Sequence, residues 1–132
     1  MKTLKELYNL EYDKKPGNEL YSLPQWFNKV IDKTPEELSV DDIGIMIRQD
    51  VVFDLALDKA IELLADDPLS GYQYEGEILA SLSRHESYTE AQKKKITTLI
   101  SKLETFADNH EFEVDEFKDD YLNDLNNLKL KL

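Results

Sequence analysis

The chain has 132 residues, 41% of them hydrophobic, 10% aromatic and 33% charged, which is enough apolar material to bury a core without staples. It has no cysteine, so disulfides, thiolate metal sites and a cysteine nucleophile are excluded together, and a reducing compartment fits. A formal net charge of −12 repels phosphate backbones and anionic lipid, so neither nucleic acid nor membrane is the expected partner; a basic protein is.

In chain order, charges break every apolar run at the start, from Met1 to Leu7. No stretch approaches the ~20 apolar residues of a membrane helix, and the expected location is the cytoplasm. A short helical lead is predicted over Thr3 to Leu10, set apart by a turn at Pro16-Gly17-Asn18. Ser22-Leu23-Pro24 opens the next helix, because proline is tolerated in a first turn, and Trp26, Phe27, Val30 and Ile31 give it a core-facing stripe. Thr34 to Leu38 is a connecting turn. Ser39 followed by Asp42 has the spacing of an N-cap with an acid in the first turn, and the helix it starts should run from Val40 to about Gln49. From Val51 to Leu64 ten positions are apolar, so this should be the central, most buried helix, ended by Asp66-Asp67-Pro68.

Glu75 to Arg84 reads as a further helix carrying Ile78, Leu79 and Leu82. Thr89 and Gln92 have capping-box spacing, and behind them Ile96, Leu99, Ile100, Leu103, Phe106 and Ala107 form a helical stripe over 90–107. The last helix, over 114–130, carries Val114, Phe117, Tyr121, Leu125 and Leu128 on its apolar side. The expected fold is therefore all-α: one domain over 1–132, a bundle of six or seven helices.

Catalytic and metal motifs are absent where they would have to be. His85-Glu86-Ser87-Tyr88-Thr89 lacks the second histidine of a zinc-protease helix. The acidic stretch from Asp108 to Asp120 has His110, Phe112 and Glu113 where a calcium loop needs acid or amide ligands and a glycine. No cofactor, no metal and no enzymatic activity are expected.

Two acidic features oppose helix economics. Asp54, Asp58, Glu62 and Asp66 stand four apart, so like charges stack along one stripe at a cost of about 0.2–0.5 kcal/mol per adjacent pair. Asp66 and Asp67 also end that helix, where the macrodipole is already negative. Between Glu104 and Asp124 nine acids face a single lysine, Lys118, for a local charge of −8. Tyrosines 72 and 74 follow the first feature directly, and tyrosine beside carboxylates suits an interface hot spot. The partner-binding candidates are Asp54, Asp58, Asp66, Asp67, Tyr72 and Glu75 as one surface, with Asp119 and Asp120 as a second.

From Thr34 to about Leu82 the chain resembles the helical immunity proteins of bacterial contact-dependent growth inhibition (CDI) systems. The residues that carry the likeness are Leu38-Ser39-Val40-Asp41-Asp42-Ile43, Ile47-Arg48-Gln49, the apolar helix from Phe53 to Leu64, Asp67-Pro68-Leu69, and Tyr74-Glu75-Gly76-Glu77-Ile78-Leu79. The resemblance implies a cytosolic antidote that binds the C-terminal domain of a cognate toxin, often a nuclease, and occludes its active site or substrate surface. The acidic charge agrees, since a nuclease must present a basic groove to phosphates. In these signature segments Gly76 is expected to permit a close approach or a turn before the helix, and Gln49 to tie down a helix junction. The alternative is an acidic adaptor or small-ligand-binding domain, the latter needing a pocket with convergent polar groups.

Overall fold

The computed structural model describes residues 1–17 and 22–132. Asn18, the last residue of the predicted Pro16-Gly17-Asn18 turn, lies outside them. The fold is all-α, as expected, with no strand among the described residues. Among the described residues seven α-helices run in order: α1 (Leu4–Leu7), α2 (Leu23–Val30), α3 (Val40–Gln49), α4 (Phe53–Asp66), α5 (Glu77–Ser83), α6 (Glu90–Asn109) and α7 (Asp115–Leu130). A 3-10 turn at Pro35–Glu37 precedes α3. The described residues divide into two compact units, 1–42 and 43–132.

In the first unit the helix starts are capped by side chains. The Ser22 hydroxyl accepts from the Gln25 N–H, and Thr3 and Glu6 close a reciprocal capping box. The lead helix is shorter than predicted, four residues, and is held by backbone bonds from the Leu4 N–H to the Lys33 carbonyl and from the Lys5 N–H to the Ile31 carbonyl. Leu4, Val30 and Ile31 are fully buried. The polar anchor of this unit is Asp42, which accepts from the Lys33 ammonium at 2.6 Å, the Ser39 N–H at 3.1 Å and the Trp26 indole N–H at 3.1 Å.

Burial alone would push the Asp42 carboxyl up, but the bonds from Lys33, Ser39 and Trp26 outweigh it and hold it below the ordinary aspartate value. A depressed folded value means that the stabilisation is present above the unfolded aspartate range, near ~3.9, and is lost as pH falls through the folded value. Asp42→Asn is therefore expected to cost about 2–3 kcal/mol at neutral pH, by losing the charge on a buried three-donor acceptor. Denaturant midpoints of both proteins, measured from pH 7 down to pH 2.5, should converge at the acid end; a constant gap would refute the linkage.

The second unit starts α4 two residues later than the apolar run suggests. Asp50 and Val52 both have positive φ, 55° and 44°, so the chain leaves α3, turns, and re-enters a helix only at Phe53. Packing within this unit joins α5 to α7, α4 to α6 and α6 to α7. The most buried helix is α5, which corrects the expectation for α4: all seven residues from Glu77 to Ser83 are buried, whereas α4 buries only Ala56, Leu57, Ala60 and Leu64. The reason lies in satisfied polar groups. Glu77, Ser81 and Ser83 look like a solvent face in sequence, yet each has a partner, in the Tyr72 and Gln73 N–H groups, Arg48, and the Ala80 carbonyl. The α6 stripe forms as read, capped by Thr89 and Gln92, with only Phe106 left half-buried.

Candidate functional site

Three of the elements so placed, the loop from Asp67 to Gly76, the connection from His110 to Val114, and the first half of α7, enclose a groove of about 660 Å³. The loop is built rather than slack. Asp67 Oδ1 accepts from the Leu69 N–H at 3.0 Å, and the Ser70 hydroxyl donates to the Leu63 and Asp67 carbonyls. The Gly76 N–H donates to the Leu69 carbonyl at 2.9 Å. Glu77, buried at the start of α5, accepts from the Tyr72 N–H at 2.8 Å and the Gln73 N–H at 3.2 Å, and its other oxygen lies 3.9 Å from Arg48. Gly76 makes the turn into α5 at φ 88°, as anticipated, and Gly71 supplies close approach: a Cβ there would overlap the Tyr74 carbonyl oxygen. Thus held, the loop displays Tyr72, Tyr74 and Glu75 to solvent, the tyrosines 66% and 50% exposed.

The floor opposite is aromatic. Phe106 stacks on His110 at 4.7 Å between ring centroids, His110 meets Phe112 edge-on at 4.6 Å, and Tyr121 lies 5.8 Å from both phenylalanines. The buried Tyr121 hydroxyl donates to the Pro68 carbonyl at 3.1 Å, tying α7 to the loop. Burial, with the Asp67 charge added, pushes that phenol up. Phe117, one turn earlier on α7, is 56% exposed, and Val114 47%. Both were expected in the core; the apolar stripe of α7 continues one turn past the surface that buries Tyr121, Leu125 and Leu128. Its first turn therefore offers an aromatic ring to solvent at the groove.

Five carboxylates line the groove, Glu75, Glu111, Glu113, Asp120 and Asp124, and no lysine or arginine of the described residues does. Burial pushes the half-buried Asp124 carboxyl up; Arg84 opposes this and the Asp120 charge reinforces it.

The sequence-derived candidates separate on this geometry. Glu75 and Asp120, drawn from the two different surfaces, share the groove. Asp67 and Tyr72 stand on the loop beside it. Asp119 is exposed on α7, and Asp66 at the end of α4, but neither lines it. Asp54 and Asp58 point along α4 to α6, where the Gln92 amide donates to Asp54 and Lys95 meets Asp58 at 2.7 Å, so part of the like-charge cost on α4 is offset by a neighbouring helix. Tyr74, noted from sequence beside Tyr72 but not among the binding candidates, lines the groove, as do Phe112, Phe117 and Asp124, which were not candidates either. For Phe117 the signal existed but pointed inward, since a helical stripe does not say where its support ends. Gln49, expected to tie down a junction, is exposed; the bridge from α3 to α5 is made by its neighbour Arg48, 3.4 Å from the Ser81 hydroxyl.

Among the described residues no helix is long and apolar enough to cross a membrane, and no group of three or more His, Asp or Glu side chains is arranged to hold a metal ion. Residues 6–100 match the family described as CDI immunity proteins. The chain belongs to that family. The matched span includes the loop and α5 and ends within α6, so this CDI immunity protein carries its acidic α7 beyond it. Comparison with curated proteins finds no match. Membership makes the chain an immunity protein to a CDI toxin, with a toxin protein as its partner.

Proposed function

We propose that this CDI immunity protein acts in the cytoplasm by binding alone, with no cofactor, and neutralises a basic nuclease toxin by lying over its active site or substrate surface. The observation that carries the reading is the groove of the second unit, where Glu75 and Asp120 converge with three further carboxylates beside exposed tyrosine and phenylalanine rings. A nuclease groove must be basic to hold phosphates, and an acidic protein of net charge −12 is steered to it and competes there with the nucleic acid. Tyr72 and Asp67 flank the groove, and Asp66 and Asp119 extend the negative field around it. The Asp54 and Asp58 edge adds to that field at longer range. A neutral small ligand would leave the carboxylates unmatched, which disfavours the ligand-binding alternative.

The test is co-expression with the cognate toxin domain, followed by the affinity of the purified pair across salt. Cells should survive, and the association rate should fall at least tenfold between 50 and 500 mM salt while dissociation changes less. Survival with salt-independent association would move the interface to apolar surface; no protection and no binding would end the reading.

A further inference from the structure

Most carboxylates on the second unit that lie near basic or amide groups are already engaged: Asp50 with the His85 ring, Asp54 with Gln92, Asp58 with Lys95, Glu104 with Lys129. The groove differs. Glu75, Glu111, Glu113 and Asp120 have no ion pair or side-chain hydrogen bond among the described residues, although they share one concavity. Two rings, Tyr74 and Phe117, stand half-exposed at the same place. Water solvates carboxylates well and rings poorly, so a surface that holds both, concave and without a cation of its own, is complementary to a group that is at once positive, flat and weakly hydrated. A guanidinium has those properties; an ammonium is a compact, strongly hydrated charge that satisfies the acids and leaves the rings unused.

We infer that the groove is an arginine seat, in which a guanidinium on the toxin packs against Tyr74 and Phe117 and is neutralised by Glu75 and Asp120. This rests on the toxin-neutralising reading and names the chemistry of the partner at that site. Asp124, at the half-buried base of the groove beside Asp120, adds a charge that a bound cation would relieve. Phe117 is exposed and on the first turns of α7, so its replacement tests the seat without removing core packing.

The experiment is a backbone-amide NMR titration of the full chain with capped tetra-arginine and tetra-lysine peptides. Tetra-arginine should bind at least fivefold tighter, with shifts concentrated at Tyr74, Glu75, Gly76, Phe117 and Asp120. Phe117→Ser and, separately, Tyr74→Ser should each remove at least fivefold of the arginine affinity and less than twofold of the lysine affinity. Equal affinities for the two peptides, or shifts spread along α4 and α7 alike, would overturn the seat. The toxin then separates the two claims. A chain that binds tetra-arginine in the groove but gives no protection keeps the seat and loses the neutralising role. A Tyr74→Ser, Phe117→Ser double variant that binds the toxin at full strength overturns the seat and keeps immunity.

Discussion

Glu75→Lys combined with Asp120→Lys is expected to weaken binding of the cognate toxin domain on the order of 10²- to 10³-fold, about 3–4 kcal/mol, and to abolish protection in co-expression. The two positions are 45 apart in sequence yet line one groove, so the double change reverses two charges, a swing of four units at a single place, and leaves both new lysines facing a basic partner. Both residues are exposed, and neither carries an ion pair among the described residues, so thermal stability should stay the same or rise. Calorimetry of the purified pair, with melting curves as the control, measures both. Asp66→Lys probes the end of α4 separately, and it serves better than a change at Asp67, whose carboxylate also holds the Leu69 N–H. An effect within threefold would remove Asp66 from the interface. An unchanged affinity for the Glu75, Asp120 pair would remove the groove.

Glu77→Ala is expected to cost about 3 kcal/mol of stability, against about 1 kcal/mol for Glu77→Gln. Glu77 is 5% exposed, and its Oε1 is the acceptor for two loop N–H groups, so alanine takes the acceptor from both donors while glutamine still offers a carbonyl oxygen. Arg48 would lose its nearest carboxylate in either case, at a geometry of 3.9 Å that contributes little. The loop in question carries Tyr72, Tyr74 and Glu75. Glu77→Ala should therefore also lower toxin affinity although Glu77 touches no partner: it is a positioning residue, and the glutamine variant should recover most of the loss. Chemical denaturation of the three proteins, with toxin affinity measured beside it, checks the pairing of effects. Equal destabilisation by alanine and glutamine would mean that charge, not the acceptor, matters at position 77.

Much of the helical order was legible in the chain itself, because its signals act over three or four residues. The Ser22 cap, the Ser39 and Asp42 exchange, the Thr89 and Gln92 box and the Pro68 stop are local hydrogen-bond or steric events, and they place the starts of α2, α3 and α6 and the end of α4. The α6 stripe is equally local, a 3.6-residue period with lysines opposite. The family likeness, too, was carried by short segments, and the matched span of 6–100 contains all of them.

What the sequence by itself determined, then, is an acidic all-α chain, its helix boundaries to within a few residues, and its kinship with CDI immunity proteins. Only tertiary structure decided that α5 rather than α4 is the most buried helix, that Phe117 faces solvent, and that Glu75 and Asp120 line one groove. Each of those depends on which polar groups find partners on another element and on how far one helix supports the next. A hydrogen bond from Tyr72 to Glu77, or an unsupported first turn on α7, leaves no periodic trace in the residues that make it. Capping and amphipathicity are fixed by near neighbours along the chain, whereas a groove is fixed by faces brought together from segments with no local reason to be adjacent.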